Sequence, residues 1–337
     1  MGDGLGGVPI EQAPDAGGTS AVGPAAALRL SRRSVLAGAL SLIAAPAFSA
    51  ARVLTPDSFL AVGDWGREGA PIQRAVARGM GIAGSELSSR FTLAVGDNFY
   101  PAGVSSVKDA HWTRSFENVY TAQSLQTPWW AALGNHDYRG KPRSQLHYAR
   151  HSHRWRMPSR HYQVSPEDLG VPDVELFVLD TSPLVDRRNF SERFQQLSRG
   201  RYWKMRRGGQ VGWLEEALQD STARYKVVVG HHPIYSAGSH GDNPDLVEKL
   251  APVLEAYGVT AYVNGHDHIL QHVQRGRVSY VCTGAGAGGG PAHKVAGAKF
   301  YWGKPGFANF KVTSSGMLLE MRDADGQVIH QSLLGQA

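Results

Sequence analysis

The sequence predicts an α/β fold, and three observations carry that expectation. Short apolar runs rich in β-branched residues recur along the chain. Helical patterns separate them. Most of the runs stop at a glycine beside Asp, Asn or His. Runs of that length, closed by glycine and alternating with helices, are the signature of buried strands in an α/β sheet.

The elements follow in order. Phe59–Val62 runs into Gly63-Asp64-Trp65-Gly66, and Ile72–Met80 then reads as a helix. Phe91–Val95 leads to Gly96-Asp97-Asn98-Phe99-Tyr100, and Trp129–Leu133 to Gly134-Asn135-His136-Asp137. Val174–Leu179 ends in Asp180-Thr181. A helix is expected over Val211–Leu218, with apolar residues at 211, 214, 217 and 218. Tyr225–Val229 precedes Gly230-His231-His232-Pro233. Leu246–Ala256 is helical but limited or kinked at Pro252. Val259–Val263 precedes Asn264-Gly265-His266-Asp267-His268. Phe307–Val312, Met317–Met321 and Val328–Leu333 read as antiparallel strands, with a tight turn at Asp325-Gly326.

Composition sets the outer limits. The chain has 337 residues, 42% hydrophobic and 19% charged, which describes a globular protein and excludes a wholly disordered one. The net charge of +6 favours anionic partners without singling out nucleic acid. A lone cysteine, Cys282, closes no disulfide within the chain. It lies in the apolar run Val278–Cys282 and is expected to be a small buried hydrophobe.

The N-terminus stands apart. Residues 1–30 are rich in Gly, Ala and Pro and lack apolar periodicity, so disorder is expected. Ser31-Arg32-Arg33-Ser34-Val35-Leu36, the apolar stretch Ala37–Ala45 and the small residues before Ala50 form an export signal resembling the twin-arginine type. The stretch is shorter than the ~20 residues of a spanning helix, so no stable membrane anchor is expected. Residues 1–50 are read as disordered segment and signal, and 51–337 as one catalytic domain. An exported protein, periplasmic or secreted, is the consequence, with the twin-arginine machinery as its partner in transit.

Ligands of α/β sheets lie beyond the carboxyl ends of the strands, so neighbouring strands would gather these loops on one edge. The gathered donors are Asp64, Asp97 and Asp137, Asn98, Asn135 and Asn264, His136, His231, His232, His266 and His268, and Tyr100. Oxygen and nitrogen donors without thiolate suit Fe, Mn or Zn. Two such ions can grip both the attacking and the leaving oxygen of an in-line displacement, and a bridging carboxylate offsets their repulsion. Water on such an ion loses its proton near neutral pH.

The series Gly63–Gly66, Gly96–Tyr100, Gly134–Asp137, Gly230–Pro233 and Gly265–His268 resembles the metallophosphoesterase superfamily. Within it the chain is similar to purple acid phosphatases of the small, tartrate-resistant type, from about Phe59 to the C-terminal strands. Arg154–Ser159, Phe177–Thr181 and Val259–Tyr262 belong to the likeness. The resemblance implies a four-layer sandwich of two mixed β-sheets flanked by helices. It implies Fe(III) on Asp64, Asp97, Tyr100 and His268, and a divalent Fe, Zn or Mn on Asp97, Asn135, His231 and His266. His136 would contact the phosphate and help protonate the leaving oxygen. The implied activity is hydrolysis of a small phosphate monoester, with a phosphodiesterase, a nucleotidase or a non-catalytic phosphate binder as alternatives. Phenolate on Fe(III) gives the family its colour. Two departures stand out. Ser239 precedes His240 where the small type usually has an acid, which leaves the acid role to His240 or His136, and the usual disulfide pair is absent.

Other features carry less. Arg139–His161 holds seven Arg or Lys, four His and no acid, and is expected to be a solvated helix and loop. Arg187–Arg207 reads as a basic surface loop. No helix start follows Gly284–Gly290, so a mobile loop at the metal edge is expected there in place of a dinucleotide site. No Gly-x-Ser-x-Gly or Walker loop supplies another nucleophile or phosphate cradle.

Overall fold

The computed structural model describes residues 57–185 and 209–335. The expectations for the signal in residues 1–50 and for the loop Arg187–Arg207 lie outside the described residues.

Strands β1 (Asp57–Val62), β2 (Phe91–Ala94), β3 (Trp129–Ala131) and β4 (Trp155–Arg156) pair in parallel, in that order. The second sheet is built on β5 (Tyr162–Val164), β6 (Val174–Val178), β7 (Tyr225–Val229), β8 (Ala261–Asn264), β9 (Leu270–Arg275), β10 (Val278–Thr283) and β11 (Ala298–Trp302). Its order is β11-β9-β10-β8-β7-β6-β5, parallel across β6, β7, β8 and β10 and antiparallel at both margins. Antiparallel β12 (Gly306–Thr313), β13 (Gly316–Asp323) and β14 (Val328–Leu334) extend the first sheet outward from β1. Each sheet thus has seven strands among the described residues, and both are mixed.

Alternation along β7 explains why the runs look continuously apolar. Val227 and Val229 enter the core shared by the two sheets, while Val228 faces the other way. There Leu214 and Leu218 of one helix (Gly209–Asp220) and Leu246 and Leu254 of two shorter ones (Pro244–Lys249 and Ala251–Ala256) cover it. A strand buried on both faces has no polar side to display. The first sheet is covered in part by α1 (Pro71–Glu86), whose Val76 and Met80 join the core. Register stacks Phe59 on Phe91 and Phe310, with ring centroids 4.7 and 4.8 Å apart. The helix expected over Leu246–Ala256 is split before Pro252, and Gly326 makes the tight turn with φ 86°.

Two expectations need correction. Residues 139–161 are not solvated throughout, because Arg154, Trp155 and Met157 are buried. The Arg154 guanidinium pairs with Glu117 Oε2 at 2.8 Å, donates to the carbonyls of Tyr120 and Leu125, and lies 4.1 Å from the Phe116 ring centroid. The glycine loop is wedged in place over its first part, with Gly284 to Ala287 buried. A Cβ on Gly284 would stand 2.3 Å from the Asp267 carbonyl oxygen and 2.8 Å from Asp64 Oδ2.

Strand β9 is not legible as an apolar run, since Gln271 and His272 are buried by their hydrogen bonds. His272 Nδ1 meets His330 Nε2 at 3.3 Å, joining the margins of the two sheets. Burial, with His330 beside it, pushes His272 down to about 4. A base whose folded value lies below its unfolded one contributes stability that is complete above about pH 6.5 and is lost as pH falls towards 4. The loss is roughly 3 kcal/mol once pH is below both values. His272→Gln is therefore expected to flatten the decline of melting temperature between pH 6.5 and 4; an unchanged slope would assign that decline to other groups.

Candidate metal centre

The carboxyl ends of β1, β2 and β3 meet those of β7 and β8 at a seam between the sheets. The seam is stitched by the backbone: Gly63 N–H donates to Thr283 O at 2.9 Å and Gly286 N–H to Gly63 O at 3.1 Å. A Cβ on Gly63 would lie 2.7 Å from Val95 Cγ2 and 3.3 Å from Gly265 Cα, so a side chain there would hold the sheets apart. Asp64, Asp97 and His266 adopt positive φ (58°, 49° and 71°), a region costly for non-glycine residues and typical of functional turns.

These turns bring all seven candidate ligands together in two knots. In the first, the Tyr100 hydroxyl lies 2.8 Å from Asp64 Oδ1, 2.9 Å from Asp97 Oδ2 and 3.1 Å from His268 Nε2. In the second, Asn135 Oδ1 lies 3.1 Å from His231 Nε2 and 3.0 Å from His266 Nδ1, and His231 Nε2 is 3.4 Å from Asp97 Oδ1. Asp97 belongs to both. Ligand atoms of Asp64, Asp97 and His231 all lie within 4.8 Å of one another, which makes this a candidate metal site.

Protons alone do not satisfy the first knot, and they satisfy the second only with His231 charged. A phenol has one proton and here faces two carboxylate oxygens and an imidazole nitrogen. His231 Nδ1 donates to the Val95 carbonyl at 3.0 Å, so in the neutral ring Nε2 is a lone pair pointing at oxygen lone pairs. Burial favours neutral Asp97, but His231 and His136 outweigh it and hold the carboxyl well below its usual range. Burial also opposes charge on His231, yet Asp97 pushes it up to about 9. Burial, with His231 and His240 nearby, pushes His266 down to about 3. Burial and the carboxylates of Asp64 and Asp97 drive the Tyr100 phenol upward. Cations reverse this logic, since they bring phenolate, carboxylates and neutral imidazoles to coordination together.

The two candidate catalytic histidines flank the knots. His136 donates its backbone N–H to Asp97 Oδ1 at 2.8 Å, and its Nδ1 meets the Pro101 carbonyl at 2.7 Å. His240 Nδ1 lies 2.7 Å from Asp267 Oδ1, with its ring 4.2 Å from that of His266. Side-chain exposures of 55% for His240, 34% for His268 and 23% for His136 mark the open face. Ser236 Oγ donates to the other oxygen of Asp267, so the loop carrying Ser239 is folded around that carboxylate.

A family model for calcineurin-like phosphoesterases matches residues 57–270. Purple acid phosphatase 3 of Arabidopsis thaliana is 38% identical over 288 residues, spanning 81% of this chain and 76% of that one. The chain belongs to the purple acid phosphatases, within the calcineurin-like phosphoesterases. Tartrate-resistant acid phosphatase type 5 of Homo sapiens is 36% identical over 303 residues, covering 82% of this chain and 90% of that one. Among solved structures, GAP50, the anchor in the inner membrane complex of Plasmodium, matches with a TM-score of 0.70 at 20% identity over 84% of this chain and 89% of that one. That last likeness is one of fold alone.

The fold explains why Gly66 closes the first motif of this purple acid phosphatase. A Cβ on Gly66 would come within 1.9 Å of the Asn98 carbonyl oxygen. The backbone that carries Tyr100 passes through that space, and Tyr100 N–H donates to Gly66 O at 2.8 Å. A side chain at position 66 and a tyrosine at position 100 thus compete for one place.

Some supporting residues escaped the sequence reading. Thr181 Oγ1 accepts the backbone N–H of His231 at 3.1 Å and of His232 at 3.0 Å, and meets His232 Nδ1 at 2.9 Å. Its signal was its position, just past a strand like the other site residues. Gln145, which donates to Asp137 at 2.7 Å, gave no such signal. Asp137 accepts from Gly134 N–H and Asn98 N–H, and so fixes the second and third loops against each other.

Proposed function

We propose that this chain is a two-metal phosphatase that hydrolyses small phosphate monoesters. One ion, Fe(III), is assigned to Asp64, Asp97, Tyr100 and His268. The other, a divalent Fe, Zn or Mn, is assigned to Asp97, Asn135, His231 and His266. The observation that supports this reading most is the position of Asp97, whose two oxygens face the two knots separately. Phenolate and carboxylates favour the harder trivalent ion, and the imidazoles the divalent one. When bound, the ions would supply Lewis acidity and an activated water.

The protein's own groups do the rest. The Val95 carbonyl sets the His231 tautomer, and the Asn135 amide lies between the two imidazoles of the second knot. His136, anchored through Nδ1 to Pro101 O, keeps Nε2 for the substrate phosphate or its leaving oxygen. Asp267 orients His240 in the same way, which makes its Nε2 the second proton donor and compensates for Ser239. Residues 1–50 are assigned to the export signal and 51–337 to the catalytic domain, which places the mature enzyme outside the cytoplasm. No helix among the described residues is long and apolar enough to cross a membrane.

The exported protein is expected to begin near residues 50–53, to hold about two metals per chain and to cleave p-nitrophenyl phosphate faster than bis(p-nitrophenyl) phosphate. Chelation should abolish turnover, and iron with zinc or manganese should restore it. Full activity in the metal-free protein would sink this reading, and a preference for the diester would shift it to a phosphodiesterase.

A further inference from the structure

We propose that Arg67 is a substrate-contacting residue: its guanidinium, laid over the Tyr100 ring beside the metal centre, takes non-reacting oxygens of the phosphate. The proposal rests on the phosphatase reading and adds a residue to it.

Arg67 directly follows the first motif. Its backbone is fixed, with its N–H donating to Gln73 Oε1 at 3.0 Å and its carbonyl accepting from Ala70 N–H at 3.0 Å. The guanidinium carbon lies 3.9 Å from the Tyr100 ring centroid. The same ring has His136 packed against it, with centroids 4.5 Å apart. The guanidinium charge is also felt at His268, across the first knot. Arg67 therefore lies against one candidate ligand, Tyr100, and its charge reaches a second, His268.

Its charge is not spent on the protein. Among the described residues Arg67 makes no ion pair. The nearest acid in sequence, Glu68, is engaged by Arg114 at 2.7 Å and His111 at 3.2 Å. A guanidinium stacked on an aromatic ring is ordered by its face and keeps its edge donors available. Those donors form a planar fork that matches two phosphate oxygens, and the interaction is charge-assisted. A half-buried arginine with its charge uncommitted, at the edge of a site for a dianion, has the chemistry of an anion clamp. The phosphate would then be held from the Tyr100 side by Arg67 while His136 addresses the leaving oxygen.

The test uses metal-loaded wild type, Arg67→Gln and Arg67→Lys. Calorimetry with inorganic phosphate gives affinity, p-nitrophenyl phosphate gives KM and kcat, and elemental analysis gives metal content. Arg67→Gln is expected to weaken phosphate binding roughly tenfold to a hundredfold, the range for losing hydrogen bonds to a charged group. KM should rise more than kcat falls, with metal content unchanged. Arg67→Lys should recover part of the affinity, since it keeps the charge and loses the fork. Unchanged phosphate affinity together with reduced metal content would overturn the proposal, because Arg67 would then merely prop Tyr100. Failure of the metal-loaded wild type to bind phosphate would overturn it as well. If wild type binds phosphate but turns over no ester, the phosphatase reading fails while calorimetry still decides the role of Arg67.

Discussion

Asp97→Ala is expected to empty both metal positions and to reduce turnover by well over a hundredfold. Changes to residues that merely support a ligand already cost about 10–100-fold in metal affinity or activity. Asp97 does more than support. Its Oδ1 accepts the His136 backbone N–H at 2.8 Å, and its Oδ2 meets the Tyr100 hydroxyl at 2.9 Å. His231 Nε2 lies 3.4 Å from Oδ1. Removing the carboxylate strips each knot of an anionic donor and removes the charge that would offset the repulsion of two bound cations. Asp97→Asn serves as the companion variant, because it keeps the shape and an acceptor while deleting the charge. Elemental analysis, p-nitrophenyl phosphate turnover and a melting curve decide the outcome. Two metals per chain with intact turnover in a folded Asp97→Ala protein would refute the bridging assignment.

Gly66→Ala is the second large effect, and it reaches the site through packing. The added Cβ would meet the Asn98 carbonyl oxygen at 1.9 Å, its carbon at 2.9 Å and Phe99 Cα at 3.1 Å. All are backbone atoms, so no side chain can swing aside. The Asn98–Tyr100 segment must move, and it is anchored in a crowded core. Trp65 lies edge-on to Phe99 and Trp155, with Trp65–Phe99 centroids 5.5 Å apart, and Phe99 is tilted against Trp155. Overpacking of this kind costs about 3 kcal/mol, the upper end of the usual range. For a domain of this size that lowers the melting temperature by roughly 5 °C. A shift of Tyr100 by about 1 Å would also cost on the order of a hundredfold in turnover. Tyr100→Phe is the control, since it deletes the phenol without crowding the loop and should bleach any phenolate-to-iron absorbance. A Gly66→Ala enzyme with wild-type melting temperature, colour and turnover would show that the loop yields freely.

Much of this was legible in the chain itself. The strands of both parallel regions announced themselves, because burial on two faces leaves only apolar residues and the run ends where a turn needs glycine. The same turns announced the site, since ligand positions beyond strand ends have no choice but to follow the runs. Strand β9 was hidden because Gln271 and His272 are buried by hydrogen bonds, and the strand pattern registers hydrophobicity alone. Arg154 looked solvated for the complementary reason: its partners Glu117 and Phe116 lie far back in sequence. Thr181 and Gln145 act on ligands and their supports through contacts that no local motif encodes.

The sequence by itself determined the α/β class, the order of the strand-end loops and the donor types that a metal centre would need. Those are local properties, set by periodicity, by turn chemistry and by which atoms a side chain carries. Tertiary structure alone decided that Asp97 faces two knots, that Gly66 leaves room for the backbone bearing Tyr100, and that Arg67 lies over that ring. Each of these depends on distances between residues far apart in the chain, and distance between segments is fixed by the packing of the two sheets at their seam.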